Sequence, residues 1–280
     1  TRRNEAYFEA LKLALPNKKS ILEIGTGSGL LSMMAAEMTE KTIFSCETST
    51  VIARTAQKIV RSNHLGHKIN IINKKSNELV IGEDVPQKAD LIVSEILSGE
   101  LIGENVRPTL LDAKTRLLET NGRMIPESGD IMISLLKANK YILDQTYVDR
   151  VKGYDLSAFN EIATRRRAIF LKEDVELLSN PAAAFSIDFY NLEDIINSSK
   201  IVSLEVSEPG ICLGIIQWIR INLFEHVKYE NNPSEIPSHW PTPVYLFETP
   251  LQVAQGESVS IEASLLDNSV WFQLNDKHLI

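Results

Sequence analysis

Apolar residues recur at near-helical spacing between Asn4 and Leu15, where Ala6, Phe8, Leu11 and Leu15 predict a helix. Ser20 to Ile24 is short and apolar and predicts a strand, and Leu30 to Met38 predicts a second helix. The alternation then repeats: Thr42 to Glu47 reads as a strand, Thr50 to Asn63 as a helix, Ile69 to Asn73 as a strand, and Ala89 to Glu95 as a strand ending in an acid. Strands separated by crossover helices imply a parallel sheet covered on both faces, with its ligand crevice at the carboxyl ends of the strands. Gly25 to Gly29, Glu47 and Glu95 all fall on that edge.

After Gly122 the pattern changes. Ile131 to Leu136, Ala168 to Leu171, Phe185 to Phe189, Ile201 to Val206, Ile215 to Leu223, Val244 to Phe247, Val259 to Leu265 and Val270 to Leu274 are short β-branched or aromatic runs separated by turn residues. Such spacing predicts an antiparallel sandwich or barrel. The boundary is expected near Arg123 to Glu127, where Pro126 interrupts. No internal repeat or low-complexity tract stands out.

Composition narrows the classes. The 280 residues hold 29 Lys+Arg against 37 Asp+Glu, a net charge of −8, which argues against nucleic acid as the main partner and is compatible with a cationic substrate. No apolar run reaches the roughly 18 to 20 residues that cross a bilayer, so a membrane protein is not expected. Cys46 and Cys212 lie far apart without a pairing framework, and His64, His67, His226 and His278 lack metal spacing, so no metal is expected and a reducing interior is: cytoplasmic, or nuclear in a eukaryote. The opening Thr1-Arg2-Arg3-Asn4-Glu5 has no initiating Met and no signal-peptide core, so the chain is expected to begin inside a longer one.

The sharpest local signal is Ile21-Leu22-Glu23-Ile24-Gly25-Thr26-Gly27-Ser28-Gly29-Leu30-Leu31, a strand running through a Gly-rich turn into a helix. Glycines permit dihedrals closed to other residues and bring backbone against a ligand. A dinucleotide fingerprint needs GxGxxG, but here the glycines are 25, 27 and 29 and position 30 is Leu. This form resembles the first motif of the S-adenosylmethionine-dependent methyltransferases; an ordinary Gly turn is the alternative. Glu47 closes the second strand about twenty residues after Gly27, where a carboxylate can accept both ribose hydroxyls.

The segment Ser94-Glu95-Ile96-Leu97-Ser98-Gly99-Glu100-Leu101-Ile102-Gly103-Glu104 puts two acids nine positions apart across a Gly-bearing loop, with Glu100 between them expected to be a loop or solvent residue. A planar guanidinium with five donors is well held by carboxylates in fork geometry. Surface acids at a helix start are the bland alternative. At this segment the chain resembles the protein arginine methyltransferases, whose double-E loop has this length and opening. The resemblance covers nearly the whole chain. It extends to Arg3 in Arg3-Asn4-Glu5-Ala6-Tyr7-Phe8, to Asn73-Lys74-Lys75-Ser76-Asn77-Glu78, to Ile125-Pro126, to Gly153-Tyr154-Asp155-Leu156-Ser157 and to Ser238-His239-Trp240 before Val244-Tyr245-Leu246-Phe247. Gly29 to Ala35, Glu100 to Glu104 and Phe185 to Phe189 look most like the monomethylating, type III branch.

The resemblance implies a Rossmann-like S-adenosylmethionine-dependent methyltransferase domain over residues 1–125 and a substrate-binding β-barrel domain over 126–280, with an inserted helical dimerisation arm at about 158–176 and a homodimer. It implies cofactor contacts from Arg3, Gly25, Thr26, Gly27, Gly29, Leu30, Glu47, Thr48, Ser76, Asn77 and Glu95, with S-adenosylhomocysteine as product. Glu95, Glu104 and His239 would be catalytic, and Glu95, Glu104 and Trp240 would hold an arginine of a protein or peptide. The chain departs from the family in three places: Ile96 stands where asymmetric dimethylating enzymes carry Trp, Ser98 where the type III branch tends to have Asp, and Ser238 in place of Thr. The family's cofactor-covering aromatic helix would precede Thr1. Two other readings are an S-adenosylmethionine-binding scaffold without catalysis and a small-molecule N-methyltransferase. Arg165-Arg166-Arg167 reads as a solvated face or part of the arm.

Overall fold

The computed structural model of the chain describes residues 1–103, 105–169, 175–194, 197–234, 241–266 and 269–275. Helix α1 (Arg2–Ala14) starts at Thr1, whose hydroxyl accepts from the Asn4 amide, and buries Tyr7, Ala10, Leu11 and Ala14, positions three or four apart. Five parallel strands follow: β1 (Ile21–Ile24), β2 (Ile43–Cys46), β3 (Ile69–Ile72), β4 (Ala89–Ser94) and β5 (Leu118–Ile125), in the spatial order β3-β2-β1-β4-β5. Helices α2 (Leu30–Met38) and α3 (Thr50–Ser62) make the first two crossovers, and α4 (Val106–Asp112) precedes β5. Strand β1 is central and wholly buried, pairing Ile24 with Cys46 of β2 on one side and with Ser94 of β4 on the other. That register lines up the ends of three strands, so the Gly turn, Glu47 and Glu95 leave the sheet side by side.

The second half is antiparallel. Strand β6 (Ser128–Lys137) is followed by α5 (Lys140–Thr146) and the short pair β7 (Arg150–Val151) and β8 (Tyr154–Asp155). Then come β9 (Arg166–Ile169), β10 (Ala182–Asp188), β11 (Ser198–Glu205), β12 (Gly210–Phe224), β13 (Val227–Glu230), β14 (Thr242–Val253), β15 (Ser258–Leu266) and β16 (Ser269–Leu274). One sheet has the order β10-β6-β12-β14-β9 with β13 also on β12, and a second has β11-β15-β16. Strand β12 is buried on both faces because it separates two apolar clusters. Ile215, Ile219 and Ile221 face the main core, which continues through both halves to Leu11, Ile92 and Ile125, while Leu213, Ile216 and Trp218 face a smaller one with Met132, Leu136 and Val244.

Within the stretch expected for an arm, Ser157–Ile162 is a 3-10 helix and Arg166–Ile169 is β9, which pairs with β14 in the barrel sheet; residues 170–174 lie outside those described. Several of the exposed apolar side chains lie just before β9: Tyr147, Val151, Tyr154, Phe159 and Ile162.

Candidate active site

The turn from β1 into α2 is built as its glycines demand. Gly25, Gly27 and Gly29 all have positive φ, at 85°, 53° and 81°. Gly25 donates to the Cys46 carbonyl at 3.0 Å, and a Cβ there would lie 2.6 Å from Ile96 Cγ2. At Gly27 a Cβ would meet nothing within 4 Å, so this backbone lies open to a ligand.

Beneath the turn lies a polar network in which only Thr26 carried an expectation from the sequence. The buried Glu23 accepts from Ser32 and, at 2.7 Å, from Ser45, whose hydroxyl lies 2.6 Å from that of Thr26. With Ser45 donating to Glu23, Thr26 donates to Ser45, and the chain of hydroxyls ties the turn to β1 and β2. An acid inside the apolar run Ile21-Leu22-Glu23-Ile24 was the available signal. Burial drives the Glu23 carboxyl up to about 7 from 4.5, against the lowering effect of its serine donors. The folded state therefore holds a proton that the unfolded chain releases between those values. Stability from Glu23 is fully present below about 4.5 and is lost as pH rises through about 7, a gap on the order of 3 kcal/mol. Glu23→Gln should flatten that fall, as read by denaturant unfolding at pH 5 and pH 8; parallel pH profiles for the variant and the parent chain would show that Glu23 titrates like a surface acid.

Glu47 stands at the end of β2 with one oxygen accepting from Gly27 N–H at 3.2 Å and the other from Ser49 N–H at 2.9 Å. It lines a crevice of about 740 Å³ together with Gly25, Gly27, Thr48, Ser76, Asn77 and Glu95. Cys46 also lines it, as a neutral thiol whose pKa burial pushes up to about 12. Ser76 is held by Arg116, whose guanidinium donates to the Ser76 and Leu79 carbonyls at 2.9 and 3.0 Å while pairing with Asp112 at 2.7 Å. Thr26 sits under the turn, bonded to Ser45, while Gly29 caps α2 and Leu30 opens it.

Glu95 follows β4 and lines a second cleft of about 480 Å³, with Arg3, Ile96, Ser98, Gly99, Glu100, Ala168, Pro241 and Pro243. The two cavities thus share Glu95 and Ile96. Arg3 pairs with Glu95 at 3.2 Å, and both side chains are about three-quarters buried. The buried Tyr7 donates to the Ser94 carbonyl at 2.9 Å and fixes the backbone next to Glu95; its place on the buried face of α1 was legible, its bond was not. Glu100, expected as a loop or solvent residue, does lie in the loop but is partly buried, forming an ion pair with Arg166 of β9. Glu104, His239 and Trp240 lie outside the described residues. Pro241, which follows Trp240 directly, does reach the second cleft.

Residues 127–279 match the model of the arginine methyltransferase oligomerization subdomain. The chain belongs to the arginine methyltransferase family. Residues 6–134 also match the model of the ribosomal protein L11 methyltransferase, in keeping with a Rossmann-like methyltransferase fold in the first half. Among curated relatives, an arginine N(omega)-methyltransferase of Streptomyces achromogenes subsp. streptozoticus is 26% identical over 95% of this chain and 74% of its own length. Protein arginine N-methyltransferase 7 of Aedes aegypti is 29% identical over 99% of this chain and 47% of its own length, and that of Oryza sativa subsp. indica 26% over 98% and 43%. The chain thus spans less than half of these two relatives. Among solved structures, a chain of the Trypanosoma brucei PRMT1 enzyme-prozyme complex with AdoHcy superposes with a TM-score of 0.82 over 97% of this chain and 88% of that one, at 22% identity. Arabidopsis thaliana protein arginine methyltransferase 10 gives 0.77 over 97% and 95%, at 18% identity. Both share the fold.

Proposed function

We propose that the chain is an S-adenosylmethionine-dependent protein arginine N-methyltransferase that adds a single methyl group to a guanidinium nitrogen. The observation that carries this reading is the place of Glu95, on the wall common to the cofactor-type crevice and the barrel-lined cleft. The residues present fit the cofactor. Each Glu47 oxygen has one backbone donor and lone pairs left for a ribose hydroxyl, the open backbone at Gly27 leaves room for a ligand, and Ser76 and Asn77 line the same crevice and would take the adenine. Arg3 would turn from Glu95 to the cofactor carboxylate.

The bound cofactor supplies an electrophilic methyl group on a sulfonium. The protein's part is to align and polarise the acceptor. A free guanidinium has a pKa above about 12 and nucleophilicity spread over three nitrogens. Glu95, with Glu104 from the other end of the loop, would draw the positive charge onto two of them and leave the third electron-rich and in line with the methyl group. The proton released after transfer passes to one of these carboxylates or to His239. Trp240 would stack on the guanidinium plane.

The domain division at 125/126 and a homodimer belong to the same proposal, supported by the sheet change at that point and by the exposed Tyr154, Phe159 and Ile162. Two free, buried cysteines suit a reducing compartment. Incubation with isotope-labelled S-adenosylmethionine and Arg-rich peptides, then hydrolysis and mass analysis, should give monomethylarginine alone. Dimethylarginine would refute the product assignment, and a modified residue other than arginine the acceptor. Glu47→Ala should weaken S-adenosylmethionine binding about 10- to 100-fold, as for a lost charged hydrogen-bond acceptor. Calorimetry measures it, and an unchanged Kd would remove Glu47 from the cofactor site.

A further inference from the structure

The loop between Glu95 and Glu104 is gripped by the barrel at three consecutive residues, each from a different strand. Gly99 is held from β12: Gln217, fully buried, donates from Nε2 to the Gly99 carbonyl at 3.3 Å. Glu100 is held from β9 by its ion pair with Arg166. Leu101 is held from β6, where Gly129 has no Cβ and so leaves space for its side chain; a Cβ there would lie 2.7 Å from Leu101 Cδ1. Leu101 is fully buried and has φ of 66°, a conformation that a branched aliphatic residue keeps only when its surroundings impose it.

The first two grips are joined. Arg166 Nε donates to the Tyr245 hydroxyl at 3.4 Å, and that hydroxyl donates to Gln217 Oε1 at 2.8 Å. The Tyr245 ring is fixed edge-to-face against Phe272 and Trp271, at 5.0 and 5.7 Å. With its oxygen accepting from Tyr245, the Gln217 amide can only present its nitrogen to Gly99, so the donors run in one direction from Arg166 to the loop.

We propose that Arg166, Tyr245 and Gln217 are positioning residues: they set the midpoint of the loop and through it the placement of the Glu95 carboxylate at its start. Resting on the arginine methyltransferase reading above, this gives the barrel a part in the chemical step although the cofactor lies against the other half. A guanidinium held by a carboxylate in line with a methyl donor tolerates little displacement, and about 1 Å costs on the order of 100-fold in rate. Loosening one grip should cost less.

The test uses Gln217→Leu and Tyr245→Phe, which keep side-chain volume and rings. Both should lower kcat for peptide methylation about 10-fold, with the KM and Kd of S-adenosylmethionine within about twofold of the parent chain. Both should also speed amide hydrogen exchange in the segment 97–103 while leaving β12 and β14 protected. Unchanged exchange in that segment overturns the anchoring, and faster exchange with unchanged kcat overturns the positioning role. A parent chain that methylates no arginine refutes the functional reading instead; the exchange measurement still decides whether the barrel holds the loop.

Discussion

Glu95→Gln is expected to lower methyl transfer on the order of 1000-fold while S-adenosylmethionine affinity changes less than about threefold. The substitution keeps the shape of the side chain and removes its charge. In the folded protein that carboxylate is only 24% exposed and faces the Arg3 guanidinium at 3.2 Å, so its surroundings admit a guanidinium beside it. An amide in its place offers one neutral acceptor and two donors, and the donors oppose a guanidinium. The substrate can still enter, because the cleft walls of Ala168, Pro241 and Pro243 are untouched, but its positive charge is no longer drawn from the attacking nitrogen. The loss should therefore appear in the single-turnover rate more than in peptide binding. Equal losses in rate and cofactor affinity would place Glu95 in the cofactor site alone.

Much of the first half was legible because its signals are local. The turn at Gly25 to Gly29, the acid at Glu47 and the acid at Glu95 each follow a strand of four to six residues, and a parallel sheet brings such strand ends together whatever their distance along the chain. Strand β5 escaped because its exposed polar residues Glu119, Thr120 and Asn121 fall between Leu118 and Arg123, where the register with β4 shifts and the apolar run is interrupted. Glu100 was expected as a loop or solvent residue, and its ion pair was missed for a different reason. Its partner Arg166 comes from the other half of the chain, as do Gln217 and Gly129, and no spacing within the loop announces them. Arg166 was itself obscured by its neighbours, since three consecutive arginines read as a solvated face or arm; the structure divides them, with Arg165 paired to exposed Glu248 and Arg166 paired to Glu100 of the loop. Strand β12 was expected only from Ile215 to Leu223, because its first residues break alternation at Gly214.

That break leads to the largest expected loss of stability. Gly214→Ala should destabilise the fold by about 3 to 5 kcal/mol, combining backbone strain with overpacking. Gly214 has φ of 154°, and a Cβ there would lie 2.1 Å from the Tyr245 carbonyl oxygen and 2.8 Å from Leu246 Cα, both backbone atoms of the paired strand β14. Neither can move aside without parting the ladder. Pairing shifts between Cys212 and Gly214 on both neighbours, β6 and β14. The shift changes the face of every residue beyond it: Cys212 and Ile215 face the main core, although strict alternation would put them on opposite sides, and Leu213 and Ile216 face the smaller cluster. Closing this bulge would send the apolar side chains of one cluster into the other. Gly256→Ala is the control, because Gly256 also has positive φ, at 85°, but open space where its Cβ would go. It should cost about 1 kcal/mol, so at roughly 2 to 4 °C per kcal/mol the two variants should melt about 5 to 15 °C apart. Equal melting temperatures would mean that β12 and β14 do not approach so closely at Gly214, and the two-cluster arrangement of the barrel would then need another explanation.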